Sequence, residues 1–243
     1  MDFMNISLYF LLLLSKIKRI LVFFIGLYKN KLPLLLSISN SNISDYLSNA
    51  LVNIPKFPNQ ISLIIQEDIS LESLSNILLW SFSIGISCIS IYDIKGNIIF
   101  LKGNLLNKMT KKLTSYAITS PISIYLLSEK NKLQSSNNEL CVILLGCDSP
   151  KAMLVDCAKY LSCQSDNSII KEADIDSYFA KMTRIENPDL SINFGNDCSL
   201  NGLMPWQSGN TELIFHPTHH QISVSDYIEL LSNFANRNQR WGK

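Results

Sequence analysis

Residues 61–93 read ISLIIQEDISLESLSNILLWSFSIGISCISIYD and combine two kinds of pattern. The first five residues are apolar except for Ser62, and such a run is typical of a strand buried on both faces of a parallel sheet. Ser70 is a helix N-cap residue, and apolar side chains follow it at helical spacing to about residue 84. A second apolar run occupies 88–92. The segment therefore predicts a strand, a helix and a second strand, the repeating unit of an α/β domain.

The same alternation continues to the carboxyl end of the chain. Further strands are predicted over 122–127, 140–145, 190–194 and 213–215, and further helices over 101–116, from 149 onwards, over 174–182 and from 224 to about 236. Ser149 is predicted as an N-cap with Pro150 in the first helical position. Ser223 and Asp226 form a capping-box pattern before the last helix. We therefore expect an α/β fold with a mostly parallel central sheet flanked by helices.

The amino-terminal residues differ in composition from the rest of the chain. The runs 3–14 and 20–28 are almost wholly apolar, and Lys16, Lys18 and Arg19 separate them. A secretory signal carries its positive charge before the apolar run, whereas Asp2 stands there in this chain. Neither run alone reaches the roughly 20 residues that span a bilayer.

Three arrangements of this segment remain open. It is a tilted spanning helix with its cations near one interface, a helix lying in the interface plane, or an amphipathic helix that covers the core. We predict that residues 1–36 anchor the protein to membrane lipid. Residues 37–54 form a connecting segment, and residues 55–243 form the folded domain.

Charge and cysteine content exclude several classes of function. The 21 basic and 20 acidic residues give a net charge of +1, so no overall field attracts nucleic acid. The six cysteines include no C-x-x-C pair and mostly lie in apolar runs. We predict that they are reduced, buried small hydrophobes, without a metal or disulfide role.

The last seven residues, RNQRWGK, suit a diphosphate. The guanidinium of Arg240 offers a planar fork to two phosphate oxygens, and Gly242 allows backbone N–H groups to come close. A basic carboxyl end is also often only a solvated tail. The residues alone leave both possibilities open.

Several separated motifs occur in an order that resembles the Nogo-B receptor family. Those proteins are accessory subunits of dehydrodolichyl diphosphate synthase, a cis-prenyltransferase, and the resemblance covers about 55–243. The motifs that carry it are Leu79-Trp80, Gly85-Ile86-Ser87, Ile89-Ser90-Ile91-Tyr92-Asp93, Gly96, Pro188-Asp189-Leu190, Phe194-Gly195, Leu203-Met204-Pro205-Trp206-Gln207, Thr211-Glu212-Leu213 and Gln239-Arg240-Trp241-Gly242-Lys243.

The resemblance implies a cis-prenyltransferase fold and an active site shared with a catalytic partner subunit. In that family the tail crosses the dimer interface, so Arg240 and Gly242 are expected to contact isopentenyl diphosphate in the partner's site. The complex adds isopentenyl diphosphate to farnesyl diphosphate and makes a polyprenyl diphosphate for dolichol synthesis and protein glycosylation. Trp206 is expected to be an interface or core anchor, and Pro205 and Leu203 are expected at the interface with it. The resemblance also implies anchorage in the endoplasmic reticulum membrane, with the domain facing the cytosol.

The chain departs from active cis-prenyltransferases at both phosphate-binding segments. Gln66 stands where those enzymes carry the aspartate that holds Mg²⁺, and an amide lacks the charge that this hard cation requires. Glu67 or Asp68 could in principle substitute, but without nearby positive charge they would repel a diphosphate. Asn193 and Ser199 stand where two arginines would bind isopentenyl diphosphate. We therefore expect Mg²⁺ to be held mainly by the partner, no metal site in this chain, and no activity of the chain alone.

Other functions remain open beside that of an accessory subunit. The chain is alternatively a membrane-tethered receptor or scaffold without a catalytic contribution, or a self-sufficient homodimeric enzyme. His216, His219 and His220 suggest a metal site at first, but no carboxylate or cysteine shares their spacing. We therefore interpret this histidine-rich stretch as a loop.

Overall fold

The computed structural model describes residues 54–115, 122–127, 129, 140–164, 169–183, 187–203 and 205–238. The predicted anchor and most of the connecting segment lie outside them. The strands are β1 (Gln60–Ile65), β2 (Cys88–Asp93), β3 (Ile122–Leu126), β4 (Leu140–Leu145), β5 (Leu190–Phe194) and β6 (Glu212–His216). The helices are α1 (Leu71–Ile84), α2 (Lys102–Ser115), α3 (Ser149–Gln164), α4 (Glu172–Thr183) and α5 (Val224–Ala235), with short 3₁₀ helices at Asn97–Ile99 and Gln207–Asn210.

The six described strands form one sheet in the order β3-β4-β2-β1-β5-β6, and every neighbouring pair is parallel. The carboxyl ends of all six strands therefore lie along one edge of the sheet. Strand β1 lies inside the sheet between β2 and β5, and its residues 61–65 are buried, as the apolar run predicts. The α/β prediction with a mostly parallel sheet is confirmed.

The side-chain alternation of the strands separates two packing layers. On one face of the sheet, Ile61, Leu63 and Ile65 of β1 pack with apolar residues of α1, α2 and α5. The opposite face, which includes Ile64 and Tyr92, packs with Leu203. A third cluster joins α3 to α4 around Tyr178 and Phe179. The sheet is therefore covered on both faces, which is why its strands read as continuous apolar runs.

The ends of the helices confirm two of the predicted N-terminal caps and contradict a third. The Ser70 side chain accepts a hydrogen bond from the backbone of Ser73, and both bonds of the capping box between Ser223 and Asp226 are present. The prediction for α3 was wrong by one residue. The helix begins at Ser149, whose Oγ accepts from the Gly146 N–H at 3.0 Å instead of capping the helix.

The cysteine prediction was partly wrong. All six cysteines are free, and Cys88 and Cys157 are buried, but three others are exposed. Cys147 follows the end of β4, Cys163 lies in the last turn of α3, and Cys198 lies in the loop after β5. Each of these exposed cysteines lies at or after the end of a strand or helix. Among the residues that the structure describes, no helix is both long enough and apolar enough to cross a bilayer.

Candidate functional site

The candidate site lies at the carboxyl edge of the sheet, where the loops after β1, β2, β5 and β6 meet. Ligands of open parallel α/β sheets bind outside this edge, because the crossover connections leave a crevice there. Ile65, the last residue of β1, pairs in register with Phe194 of β5, and Phe194 pairs with His216 of β6. The loops that begin at Gln66 and Gly195 are therefore neighbours.

The structure brings the three substituted positions together in one hydrogen-bond network. Gln66 Nε2 donates to Asn193 Oδ1 at 2.9 Å and to the Asp197 carbonyl at 2.7 Å. Gln66 Oε1 accepts from the Asp197 N–H at 3.1 Å. Asn193 Nδ2 donates to the carbonyls of Asp197 and Ser199, at 3.1 and 2.5 Å. Neutral amides thus occupy the positions at which the resemblance implies phosphate-binding groups in active enzymes.

Gly195 lets the loop after β5 fold directly over Gln66. Its φ is +150°, and a Cβ built on it would lie 2.6 Å from Gln66 Cβ and closer still to Gln66 Oε1. Gly195 N–H also donates to the His216 carbonyl at 3.1 Å. The Phe194-Gly195 motif therefore has a steric role: any larger residue would displace the amide beneath it.

Glu67 points toward the loop between β6 and α5 and accepts its hydrogen bonds from that loop. Thr218 Oγ1 donates to both carboxylate oxygens at 2.7 and 2.8 Å, and His219 donates to Oε1 from its backbone N–H at 2.6 Å and from Nδ1 at 2.5 Å. Burial raises the pKa of Glu67, but the hydrogen bonds from Thr218 and His219 outweigh it and leave the pKa below its ordinary value. Glu67 is therefore a charged carboxylate already supplied with donors.

The neighbouring carboxylate is also engaged, but at the surface. Asp68 Oδ1 accepts from Lys95 Nζ at 2.7 Å, and this hydrogen bond holds the pKa of Asp68 below its ordinary value. The Asp68 side chain is 86% exposed, so the pair contributes little to stability. The expectation that no positive charge lies near these carboxylates is therefore wrong at Asp68, where Lys95 is the partner. Both carboxylates are engaged within the chain.

His219 is fully buried, and both of its ring nitrogens are occupied. Nε2 accepts from the Ser70 N–H at 2.9 Å, so Nδ1 carries the proton that is donated to Glu67. Burial lowers the pKa of His219, which keeps the ring neutral. His220 Nε2 lies 2.8 Å from the Asp68 carbonyl.

Glu67, His219 and His220 are the kind of group that holds a metal, since their ligand atoms lie within 4.8 Å of one another. A metal on His219 Nδ1 would leave the proton on Nε2, facing the Ser70 N–H. The described contacts therefore favour a hydrogen-bond network over a metal centre. These three histidines were predicted to lie in a loop. His219 and His220 do follow β6, but the prediction was wrong for His216, which is the last residue of that strand. Their partner Glu67 was not predicted, because 152 residues separate Glu67 from His219 and no spacing pattern links them.

The root of the tail lies at the opposite edge of the sheet. Helix α5 runs back from the carboxyl edge, and Arg237 after it donates from Nη1 to Glu212 Oε2 at 3.1 Å and to the Leu213 carbonyl at 2.8 Å. Glu212 is the first residue of β6. Arg240 and Gly242 lie outside the described residues, so their predicted role stays a prediction.

The three predicted interface residues have different environments. Leu203 is 1% exposed and packs within the chain's own core, so any effect on an interface would be indirect. Pro205 is exposed. Trp206 is partly buried against the cluster of α3 and α4, and its Nε1 donates to Asp176 Oδ1 at 2.8 Å. Their interface role stays a prediction.

Two curated relatives match most of the chain. The dehydrodolichyl diphosphate synthase complex subunit Nus1 of Mus musculus is 27% identical over 203 residues, which cover 79% of this chain and 68% of the relative. The Homo sapiens subunit of the same name is 28% identical over 204 residues, covering 79% of this chain and 69% of the relative. The resemblance to the accessory-subunit family is confirmed. No protein-family model matches the chain.

Solved structures agree with the Nus1 relatives at the level of the fold. Lavandulyl diphosphate synthase from Lavandula x intermedia, solved with dimethylallyl diphosphate, has a TM-score of 0.58 and 18% identity, covering 77% of this chain and 99% of that chain. A probable undecaprenyl diphosphate synthase from Campylobacter jejuni has a TM-score of 0.55 and 15% identity, covering 77% and 100%. The chain therefore has the cis-prenyltransferase fold.

Proposed function

We propose that this chain is the accessory subunit of a heteromeric cis-prenyltransferase. The complex adds isopentenyl diphosphate head to tail to an allylic diphosphate such as farnesyl diphosphate. The product is a long polyprenyl diphosphate, the precursor of dolichol for protein glycosylation. In this proposal the chain supplies Arg240 and Gly242 to the active site of the catalytic subunit.

The observation that carries this proposal is the amide network around Gln66. A diphosphate is multiply charged, and its binding needs cationic donors or a divalent ion. The described loops offer Gln66, Asn193 and the backbone of 195–199 instead, and these groups already satisfy one another. A chain with the enzyme fold, whose Gln66 and Asn193 are neutral amides already bonded to each other and to the loop after β5, is suited to support a partner.

Mg²⁺ does not fit the described residues at this edge. Gln66 Oε1 accepts from Asp197, and the Glu67 oxygens receive hydrogen bonds from Thr218 and His219, so neither side chain directs a free oxygen at an open position. We therefore assign the ion to the catalytic partner. It would neutralise charge on the departing diphosphate there.

The direction of the tail supports delivery to another subunit. Arg237 is bound to Glu212 and Leu213 at the amino end of β6, whereas Gln66 lies at the carboxyl end of the parallel strands. The tail thus leaves the body at the edge away from its own substituted site. This geometry favours contact in trans.

Membrane attachment completes the proposal. Residues 1–36 would hold the complex at the endoplasmic reticulum membrane, with the domain in the cytosol. The apolar runs and the cations between them support this placement. A polyprenyl product is strongly apolar, so a site held next to lipid gives it a direct exit.

The decisive experiment compares Arg240→Ala with wild type in a complex purified with the organism's catalytic homologue. A desolvated, charge-assisted contact is worth about 1.5–3 kcal/mol, so incorporation of radiolabelled isopentenyl diphosphate should fall about 10- to 150-fold. Lys111→Ala is the control, because it removes one cation from an exposed position on α2. A scaffold without a catalytic contribution predicts unchanged turnover for both variants.

The homodimeric alternative needs a different measurement. The purified chain alone is assayed with isopentenyl diphosphate, farnesyl diphosphate and Mg²⁺. We expect no polyprenyl product, because Gln66, Asn193 and Ser199 replace the groups that hold substrate in active enzymes. Activity without a partner would contradict the proposal.

A further inference from the structure

Two side chains from distant parts of the sequence hold the root of the tail. We call Lys56, Glu212 and Arg237 the tail latch. The Arg237 guanidinium donates from Nη1 to Glu212 Oε2 at 3.1 Å and to the Leu213 carbonyl at 2.8 Å. Lys56 Nζ donates to the Arg237 carbonyl at 3.2 Å and lies 4.9 Å from the centroid of the Phe234 ring. Arg237 is thus fixed through both its side chain and its backbone.

We infer that the tail latch contains the positioning residues that set where the carboxy-terminal tail leaves the domain. This inference rests on the proposed function, since it gives the latch the task of presenting Arg240 to the partner's site. The latch residues themselves do not touch substrate. They act by restricting the starting point and direction of the peptide that does.

The end of α5 shows why a latch is needed. Asn236, which ends the helix, is in the right-handed helical region, and no basic residue lies in the last turn. The backbone bonds there are Asn236 N–H to the Ser232 carbonyl at 3.0 Å and Arg237 N–H to the Phe234 carbonyl at 3.2 Å. These bonds close the helix, but neither of them reaches the sheet. Ordering a free peptide costs conformational entropy for each residue, so anchoring its first residue reduces the cost of binding.

The latch also separates the roles of the two arginines in the terminal heptapeptide. Arg237 is committed to Glu212 and Leu213 of the same chain, so its guanidinium is not available to a diphosphate elsewhere. Arg240 comes three residues later. Arg237 is held by the domain, and only two residues separate it from Arg240, the arginine proposed to bind diphosphate. The position of Arg237 therefore limits where Arg240 can lie.

Lys56 adds a connection to the other end of the chain. It lies four residues before β1, where the polypeptide enters the domain from its amino-terminal segment. Its ammonium group reaches the backbone of Arg237, 181 residues away. The entry of the amino-terminal segment and the exit of the tail therefore share one edge of the sheet and one set of contacts.

The test uses the full chain in complex with its catalytic partner and the variants Glu212→Gln, Arg237→Met and Arg237→Lys. For Glu212→Gln we expect the apparent KM for isopentenyl diphosphate to rise about two- to fivefold, since an ion pair whose side chains are 45% and 22% exposed is worth at most about 1 kcal/mol. The kcat should change less, because substrate binding selects the productive tail position at a cost in affinity. Arg237→Met should have a larger effect, and Arg237→Lys should restore part of the affinity.

The matched control is Glu72→Gln, which also converts an ion-paired carboxylate to an amide; the Glu72 side chain is 59% exposed and that of Glu212 is 22% exposed. Glu72 lies in the first turn of α1 and pairs with Lys108 and Lys112 of α2, away from the tail latch. Its substitution should therefore leave the KM unchanged. The amount of complex and its thermal midpoint are measured for every variant. A purely structural latch would lower these two quantities and leave the KM of the remaining complex at the wild-type value, which would overturn the inference.

Arg240→Ala in the same assay separates the two proposals. If Arg240→Ala impairs the complex but Glu212→Gln and Arg237→Met keep the wild-type KM, the latch inference is wrong and the proposed function stands. If Arg240→Ala is silent, both fail. A raised KM in the latch variants together with an impaired Arg240→Ala complex supports both.

Discussion

The side chain of Gln66 lies beneath Gly195 in a space that no larger residue at position 195 could share. A Cβ at position 195 would approach Gln66 Cβ to 2.6 Å, and the φ of +150° is one that other residues rarely adopt. Two separate costs therefore oppose a side chain there. One is the clash with Gln66, and the other is backbone strain.

Gly195→Ala should destabilise the full chain by about 1–3 kcal/mol, measured by urea denaturation in detergent. Gln66→Ala removes much of the clash but not the strain, so the combined variant should lose less stability than the sum of the two single variants. Gly202→Ala is the control, since Gly202 has a φ of +81° and no described atom within 4 Å of a built Cβ. It should show strain alone and no coupling to Gln66→Ala. Full additivity of Gly195→Ala and Gln66→Ala would contradict the proposed clash.

Within the sheet, three serines lie side by side on adjacent strands. Ser62 of β1 pairs in register with Ser90 of β2 and Ser191 of β5, and all three are buried. Ser90 Oγ donates to Ser62 Oγ at 2.9 Å. Ser191 Oγ has no hydrogen-bond partner among the residues that the structure describes. The same substitution should therefore have opposite effects at two neighbouring positions.

Ser191→Ala should be neutral or stabilise the protein by up to about 1 kcal/mol, because it removes a buried hydroxyl that no described partner compensates. Ser90→Ala should destabilise it by about 0.5–1.5 kcal/mol, because the hydrogen bond to Ser62 is lost. Both are measured from the midpoint of urea denaturation. A larger loss for Ser191→Ala than for Ser90→Ala would show that the Ser191 hydroxyl does have a partner in the folded protein.

How far the sequence predicted the fold depended on the kind of element. The strands around Leu63 and Ile192 were predicted within two residues, because burial on both faces leaves a continuous apolar run. The accuracy of the predicted helix starts depended on whether the serine hydroxyl bonds to the helix backbone or to another group. Ser223 caps α5 as predicted, whereas the Ser149 hydroxyl is used by Gly146. Cys147 shows the remaining limit: an apolar run does not reveal the residue at which it leaves the core.

Across the whole molecule, Glu67 joins the loop after β1 to the loop after β6. Its partners Thr218 and His219 are 151 and 152 residues away, so no local pattern predicts the contact. The resemblance predicted Gln66, Asn193 and Ser199 as substituted positions of an enzyme site, and the structure brings these three residues together. It did not show that their amides and carbonyls would satisfy one another, because this depends on how the loop after Gly195 folds back.

The Glu67 and His219 pair makes the stability of the fold depend on pH. The titratable groups facing it are Asp68 with its partner Lys95, His220 beside the ring of His219, and His216, whose Nδ1 lies 2.8 Å from the Thr218 carbonyl. Burial holds the pKa of His219 below its ordinary value of 6.5. Below about pH 6.5 the unfolded chain therefore binds a proton that the folded chain does not.

The free energy of unfolding should accordingly fall as the pH drops from about 7 to about 5.5, by at most about 1.4 kcal/mol per pH unit for this one group. Glu67 acts in a lower window: its pKa lies below the ordinary 4.5, so its contribution is complete above that pH and is lost as the pH falls through the folded value. The measurement is the urea midpoint of the full chain in detergent at several pH values, for wild type and His219→Gln. Because glutamine can accept from Ser70 and donate to Glu67 without titrating, the variant should show a shallower decline between about pH 7 and 5.5. Equal slopes in the two proteins would mean that His219 is protonated in the folded state, and the hydrogen bond from Ser70 to its Nε2 would then be wrong.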